Sequence, residues 1–203
     1  MKLFFHYCSF GFSNCYVLGK KDGSGSILVD PGNMDKQILD YIEGNNFYPK
    51  AILITHDHPG HVHGIRTLKR IYQPEVFAIN RVVRDHKTTP VKDGDRIDIG
   101  PFTVEVISIP GHSADSAVYK IDRLLFTGDV LTAGMLGTTD SAYGAATQLN
   151  KLRSRLFSLP GEYTVLPGHG PPSSLEAERR FNVGISQFGV TQQTRRPVIR
   201  INL

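Results

Sequence analysis

The stretch Thr55-His56-Asp57-His58-Pro59-Gly60-His61-Val62-His63-Gly64 constrains this chain more than any other. Four histidines fall within eight residues, after the apolar run Ala51-Ile52-Leu53-Ile54 and before a segment carrying Ile65, Leu68 and Ile71. That order reads as a buried strand, a loop and then a helix. Side chains alternate along extended backbone, so His56 and His58 point the same way. His61 sits where the chain turns into the helix and can come back toward the same point. Neutral imidazoles gathered at one spot suit a first-row transition metal.

Three further candidates stand at the ends of apolar runs. Phe102, Val104, Val106 and Ile109 lead to Pro110-Gly111-His112; Leu124-Leu125-Phe126 leads to Thr127-Gly128-Asp129; Tyr163–Leu166 leads to Pro167-Gly168-His169-Gly170. Each candidate lies beside glycine, as ligand loops on a rigid scaffold often do. With His56, His58 and His61 they supply five imidazoles and one carboxylate, all at loop tips. Such a set matches a one- or two-metal hydrolytic site. No Gly-x-Ser-x-Gly signature competes with it.

The rest of the pattern supplies a scaffold. Residues 2–8 and 14–19 read as strands around a Gly11-Phe12-Ser13 turn, and Ser26–Asp30 as a third, ended by Pro31-Gly32. Asn33 is expected to cap a helix bearing Ile38, Leu39 and Ile42 that stops near Gly44. Glu75–Ile79 reads as a strand and Val91–Arg96 as a polar turn. Residues 117–121 and 124–126 flank an Asp122-Arg123 hairpin turn, and 130–145 form a long loop rich in Gly, Thr and Ala. A helix with Leu149, Leu152 and Leu156 follows. Ser173 and Glu176 are expected to form a capping box for a last helix. Strands then a helix, twice over, predict an α/β (α+β) fold: two sheets face to face with helices outside. One domain is expected over residues 1–184, with 185–203 as a C-terminal tail.

Composition narrows the setting. With 203 residues and 40% hydrophobic content, the chain can bury one sizeable core. No apolar run is long enough to span a bilayer, and polar residues interrupt the N-terminus too early for a secretory signal. A cytoplasmic location is expected. Cys8 and Cys15 lack metal-motif spacing and are expected to be free thiols. The net charge of +4 raises nucleic acid as a partner, but the basic residues are scattered, which argues against it. A small-molecule substrate is the expected partner.

These motifs resemble the metallo-β-lactamase superfamily, from about Asn14 to Asn182. Its first motif, Thr-His-x-His-x-Asp-His, is similar to Thr55–His61; Pro110–Ser113, Phe126–Asp129 and Pro167–Gly170 match the later ones, and Asn14 with Val29–Gly32 the opening strands. The segments 134–140, 168–171 and 178–182 look most like the short glyoxalase II-type branch. The resemblance implies a four-layer αββα sandwich of two mixed sheets, with the site at one edge. It also implies that His56, His58 and His112 hold one metal, that His61 and His169 help hold a second, and that Asp129 bridges both. Zinc is the implied metal, with iron and manganese as alternatives.

Gly60 departs from the pattern, standing where the family has an aspartate. The second position is expected to be weakened, with one or two ions per chain and Gly60→Asp adding metal. His63 is a candidate substitute ligand, set against a reading as a solvent-facing or packing residue. Asp57 is a candidate displaced base, set against a loop-ordering role. Tyr143 is a candidate substrate contact on a flexible rim over 130–145. Thr138 also departs, replacing a usual arginine before Thr139-Asp140. The reading is a metal-dependent hydrolase acting on a thioester or related acyl substrate. The alternatives are an oxidoreductase resembling the mononuclear iron persulfide dioxygenases, and a non-catalytic metal-binding protein.

Overall fold

The computed structural model describes residues 1–20 and 22–187. The chain opens with β1 (Lys2–Tyr7), β2 (Asn14–Gly19), β3 (Ser26–Val29), α1 (Lys36–Glu43) and β4 (Pro49–Leu53). The short α2 (Pro59–Val62) and α3 (Ile65–Ile71) lead to β5 (Glu75–Ala78), β6 (Val82–Val83), β7 (His86–Lys87) and β8 (Thr89–Pro90). The second half holds β9 (Arg96–Ile99), β10 (Phe102–Ser108), β11 (Ala117–Ile121), β12 (Leu124–Gly128), β13 (Leu131–Thr132) and β14 (Met135–Leu136). It closes with α4 (Ala142–Lys151), which continues as a π-helical turn over Leu152–Leu156, then β15 (Thr164–Pro167), β16 (Ser173–Ser174), α5 (Leu175–Phe181) and α6 (Val183–Gln187).

The strands form two six-stranded sheets, ordered β1-β2-β3-β4-β5-β8 and β16-β15-β12-β11-β10-β9. Both are mixed: β3, β4, β5 and β8 pair in parallel, as do β12 and β15, and the other pairs are antiparallel. Tyr16, Leu18, Val29 and Leu53 of the first sheet meet Val104, Val106, Tyr119 and Phe126 of the second in one apolar layer. The other face of the first sheet packs on Ile38, Ile42, Ile65 and Leu68 of α1 and α3. The other face of the second packs on Leu152, Leu156 and Leu175. The expected αββα sandwich is therefore the observed one. Burial on both faces explains why β2 and β3 read as continuous apolar runs rather than alternations.

Several local expectations are corrected. Asp35, not Asn33, caps α1: its Oδ1 accepts the N–H groups of Gln37 and Ile38 at 3.0 and 3.1 Å. Ser174, not Ser173, caps α5 by accepting from Ala177 N at 3.2 Å, while the Ser173 hydroxyl donates to Glu178 at 2.5 Å. The turn expected over Val91–Arg96 gives way to strand β9 at Arg96, where Ile97 and Ile99 alternate with polar residues. Residues 130–145 are not one long loop; they contain the β13–β14 hairpin and the start of α4. They are also firmly anchored. The buried Glu178 carboxylate accepts Gly134 N–H at 3.1 Å, Val183 N donates to Gly134 O at 3.0 Å, and Gln148 Nε2 donates to Gly137 O at 2.9 Å. Small side chains offered little, but the backbone here does the anchoring.

Helix α6 crosses the boundary expected at residue 184, and the remainder of the expected tail, 188–203, lies outside the described residues. Cys8 and Cys15 are free and fully buried, as expected. Among the described residues no helix is long and apolar enough to cross a membrane.

Hydrogen bonds draw several strand ends to one edge. Asn14 N donates to Gly168 O at 2.7 Å, Ala117 N to Thr55 O at 2.9 Å and Gly168 N to Gly128 O at 2.8 Å. The side-chain amide of Asn14 also donates to Pro167 O and Gly170 O at 3.0 and 2.7 Å. The last motif loop is thereby fixed to β2, and the first to β11 of the other sheet.

Candidate metal centre

At that edge the structure assembles all six sequence-predicted ligand positions. His56, His58, His112 and Asp129 form one group, and His61, Asp129 and His169 a second. His56 Nε2 lies 2.9 Å from His58 Nδ1, which lies 3.2 Å from His112 Nε2. Asp129 Oδ2 is 3.7 Å from both His56 Nε2 and His112 Nε2, and 3.4 Å from His61 Nε2. His169 Nδ1 is 2.8 Å from Asp129 Oδ1. Nitrogens held by one tetrahedral zinc would stand about 3.3 Å apart. The observed separations straddle that value, and Asp129 belongs to both groups.

The outward nitrogens decide what the inward ones offer. A carbonyl oxygen only accepts, so His112 Nδ1–H donates to Thr138 O at 2.8 Å and His169 Nε2–H to Gly11 O at 3.0 Å. Thr55 Oγ1–H donates to Asp30 Oδ2 at 2.6 Å, so the hydroxyl accepts from His56 Nδ1–H at 3.0 Å. His61 Nδ1 faces Asp30 Oδ2 at 3.2 Å. The remaining nitrogen of each of these four rings faces the centre, and buried His61 Nε2 has no hydrogen-bond partner. Ring nitrogens converging on a shared carboxylate, with His61 Nε2 buried and unpartnered, fit a cation.

The protonation pattern agrees. Burial, reinforced by the charge of His61, pushes His56 down to about 2, so its ring is neutral. Burial opposes a charge on His61 too, but the Asp129 and Asp30 carboxylates on either side outweigh it and hold its pKa at about 10. For Asp129, burial is outweighed by the hydrogen bond from His169 and by His61 beside it, which keep the carboxyl well below the usual range. Without an ion, protons on His61 and His169 balance the carboxylates; a bound cation takes their place.

Asp30 was the main site residue whose role the motifs did not give. It is buried at the end of β3 with φ +48°, a left-handed backbone few side chains adopt. Its Oδ1 accepts Thr55 N–H at 2.8 Å, so one carboxylate orients His56 through Thr55 and His61 directly. The signal was available: Asp30 follows an apolar run and precedes Pro-Gly, as the ligand loops do. Asp115 plays a similar part, accepting Asp57 N–H at 3.0 Å and the Asn80 amide at 3.1 Å.

Three secondary candidates fall elsewhere. Asp57 pairs with Arg84, Oδ1 lying 3.2 Å from Nε while Oδ2 accepts the Arg84 backbone N–H at 3.3 Å. It orders the loop around Arg84 and joins neither ligand group. His63 stacks on Phe10 with ring centroids 4.3 Å apart and joins neither ligand group. Tyr143 is 82% exposed on the first turn of α4, a helix that packs through Gly144 against Gly111.

Around Gly60 the β1–β2 turn closes in. A Cβ on Gly60 would lie 3.3 Å from Gly11 Cα, and a Cβ on Gly11 only 2.4 Å from Gly60 Cα. Ser13 Oγ donates to Gly60 O at 2.5 Å. Backbone thus presses on the place from which a carboxylate would have started.

A four-layer sandwich with a histidine-rich edge built on strand-end loops defines a class of metal-centred α/β proteins. Residues 8–169 match the family model described as Metallo-beta-lactamase superfamily, and the chain belongs to that superfamily. Among its relatives, the uncharacterized protein Rv2581c of Mycobacterium tuberculosis is 30% identical, over 83% of this chain and 91% of the relative. The probable metallo-hydrolase YqgX of Bacillus subtilis is 29% identical, over 88% of this chain and 94% of the relative. Among solved structures, ETHE1 from Myxococcus xanthus superposes with a TM-score of 0.78 and 26% identity, over 90% of this chain and 83% of that one. TTHA1623 in a di-iron-bound form gives a TM-score of 0.72 and 26% identity, over 88% of this chain and 98% of that one.

Proposed function

We propose that the chain is a metal-dependent hydrolase of thioesters or related acyl compounds, similar to the short glyoxalase II-type branch. The observation that carries this reading is the convergence of five ring nitrogens on one shared carboxylate, with His61 Nε2 buried and unpartnered. His56, His58 and His112 would hold one divalent cation, His61 and His169 would help hold a second, and Asp129 would serve both. Such a cation, when bound, polarises a carbonyl and lowers the pKa of bound water toward neutrality. The chain's own residues supply the rest. Asp30 and Thr55 fix the ring orientations, Thr138 O and Gly11 O fix those of His112 and His169, and Tyr143 offers a substrate contact at the rim. Zinc, iron and manganese all suit imidazole–carboxylate sets.

The test is an acyl thioester panel assayed on zinc-, iron- and manganese-loaded protein. Turnover that scales with bound metal is expected. Full metal loading without cleavage of any member would refute the reading. Gly60 favours one competitor, an iron oxidoreductase resembling persulfide dioxygenases, because the second position lacks its usual carboxylate. Oxygen uptake with a persulfide substrate by iron-loaded protein, without thioester cleavage, would select it.

A further inference from the structure

Cys8 and Cys15 belong to neither ligand group, and both are free thiols buried to the last atom. Cys15 stands opposite His6 in the β1–β2 register, and Cys8 lies two residues beyond His6. Alternate residues of a strand share a face, so both sulfurs enter the same apolar cluster beneath α1 and α3. Each thiol acts on the other. The neighbouring Cys15 lowers the pKa of Cys8, with help from the Asn33 backbone and against burial, whereas Cys8 and complete burial push Cys15 well up. Cys8 is the readier thiolate, and the thiolate is the attacking form.

The pair brackets the turn that touches the centre. Gly11 O accepts His169 Nε2–H at 3.0 Å, and Ser13 Oγ donates to Gly60 O at 2.5 Å. Gly11 and Phe12 both have left-handed backbone, φ +74° and +55°. A non-glycine residue such as Phe12 stays in that region only when its surroundings hold it. The tip is also accessible. Residues 9–12 are exposed, and among the described residues β1 is a sheet edge paired with β2 alone. Edges of this kind open locally, and opening at Cys8 admits a small oxidant.

We propose that Cys8 and Cys15 form a reversible disulfide that shifts the Gly11 turn and loosens its hold on His169, so that thiol oxidation lowers metal affinity. Diagonal neighbours across an antiparallel pair stand ~7–8 Å apart, somewhat less between Cβ atoms. A disulfide places its Cβ atoms about 3.8 Å apart. Closing the bond therefore draws the base of the turn together by roughly an ångström or more. A shift of that size at the tip carries Gly11 O out of hydrogen-bond distance of His169. The inference rests on the metal-centre reading and not on the thioester one.

The oxidant is a low-molecular-weight disulfide. The Cys8 thiolate attacks one of its sulfurs and releases one small thiol. Cys15, as its thiolate, then attacks the Cys8 sulfur of the mixed disulfide and releases the second. Two electrons pass to the oxidant, and the two protons lost by the cysteines end on the released thiols. A bridge that strains its hairpin is easily reduced, which makes the step reversible.

The test treats zinc-loaded full-length protein with hydroxyethyl disulfide and reads three quantities on one sample: intact mass, zinc affinity by chelator competition, and hydrogen exchange of the β1–β2 hairpin. The expected product has lost the mass of two hydrogens, with peptide mapping placing the bond between Cys8 and Cys15. Its zinc affinity should be roughly tenfold below that of reduced protein, and dithiothreitol should restore it. Cys8→Ala, checked for fold by circular dichroism, should keep the reduced affinity under the same oxidant. If that variant does not fold, wild type with and without dithiothreitol gives the same comparison. No bond between Cys8 and Cys15 after prolonged treatment would overturn the proposal. So would a bond that leaves zinc affinity and hairpin exchange as they are in reduced protein. If neither form holds zinc, the metal-centre reading fails and hairpin exchange decides alone: a change on oxidation supports the shift of the turn, and identical exchange overturns it.

Discussion

A carbonyl oxygen accepts and never donates, so whatever ring nitrogen faces it must carry the proton. Thr138 O and Gly11 O set two rings of the centre in this way, and Asp30 helps set two more. Asp30→Asn removes an acceptor lobe from a buried carboxylate that takes Thr55 N–H, Thr55 Oγ–H and His61 Nδ1. Metal affinity should fall about 10- to 100-fold, measured by competition with a chromophoric chelator. Unchanged affinity would mean that packing alone orients the rings. Gly60 belongs to the same scale. From sequence, Gly60→Asp should add metal; the structure favours the other outcome, because the new side chain would start 3.3 Å from Gly11 Cα. We expect a loss of about 1–3 kcal/mol in unfolding free energy and no extra ion per chain. A second tightly held ion at unchanged stability would show that the turn yields and that only the carboxylate was missing.

At the scale of elements, caps and anchors are where sequence reading slipped. The strands that end in ligands were legible because buried runs closing on Gly or Pro have one interpretation. Asn33, Asp35, Ser173 and Ser174 are all competent caps, and only the three-dimensional path of the chain selects among them. Asp35 is selected because its carboxylate also meets His6 Nε2 at 2.8 Å. Asp35→Ala should cost about 1 kcal/mol. Burial opposes the Asp35 charge, but the Ile38 N–H and His6 outweigh it and lower its pKa. A depressed carboxylate contributes stability above its unfolded pKa and loses it as pH falls through the folded one. The wild-type advantage over Asp35→Ala in urea unfolding should therefore be present at neutral pH and shrink in acid; an advantage independent of pH would exclude the charge. The 130–145 segment reads as one loop from composition because the groups that hold its backbone, on Glu178, Gln148 and Val183, lie outside it in sequence. Gly134 N–H, held by buried Glu178, should be strongly protected in hydrogen exchange, and Glu178→Ala should abolish that protection.

For the whole molecule, fold and ligand positions were legible together because the same residues encode both: a strand end is where a sandwich can present a side chain at its edge. What was not legible is what comes from pairs distant in sequence. Asp30 beside Thr55 and His61, Gly11 over Gly60, and Arg84 on Asp57 depend on contacts that no local pattern prints. Strand β9 was missed for a weaker reason: its Ile97/Ile99 alternation spans only four residues at a sheet edge. The central claim is that the edge is a metal centre, and metal content per chain tests it most directly. Wild-type protein and His56→Ala, expressed and dialysed together, are compared by elemental analysis, with circular dichroism confirming that both are folded. The account predicts bound divalent metal in the wild type and loss of most of it in His56→Ala. The same metal content in both folded proteins would contradict it.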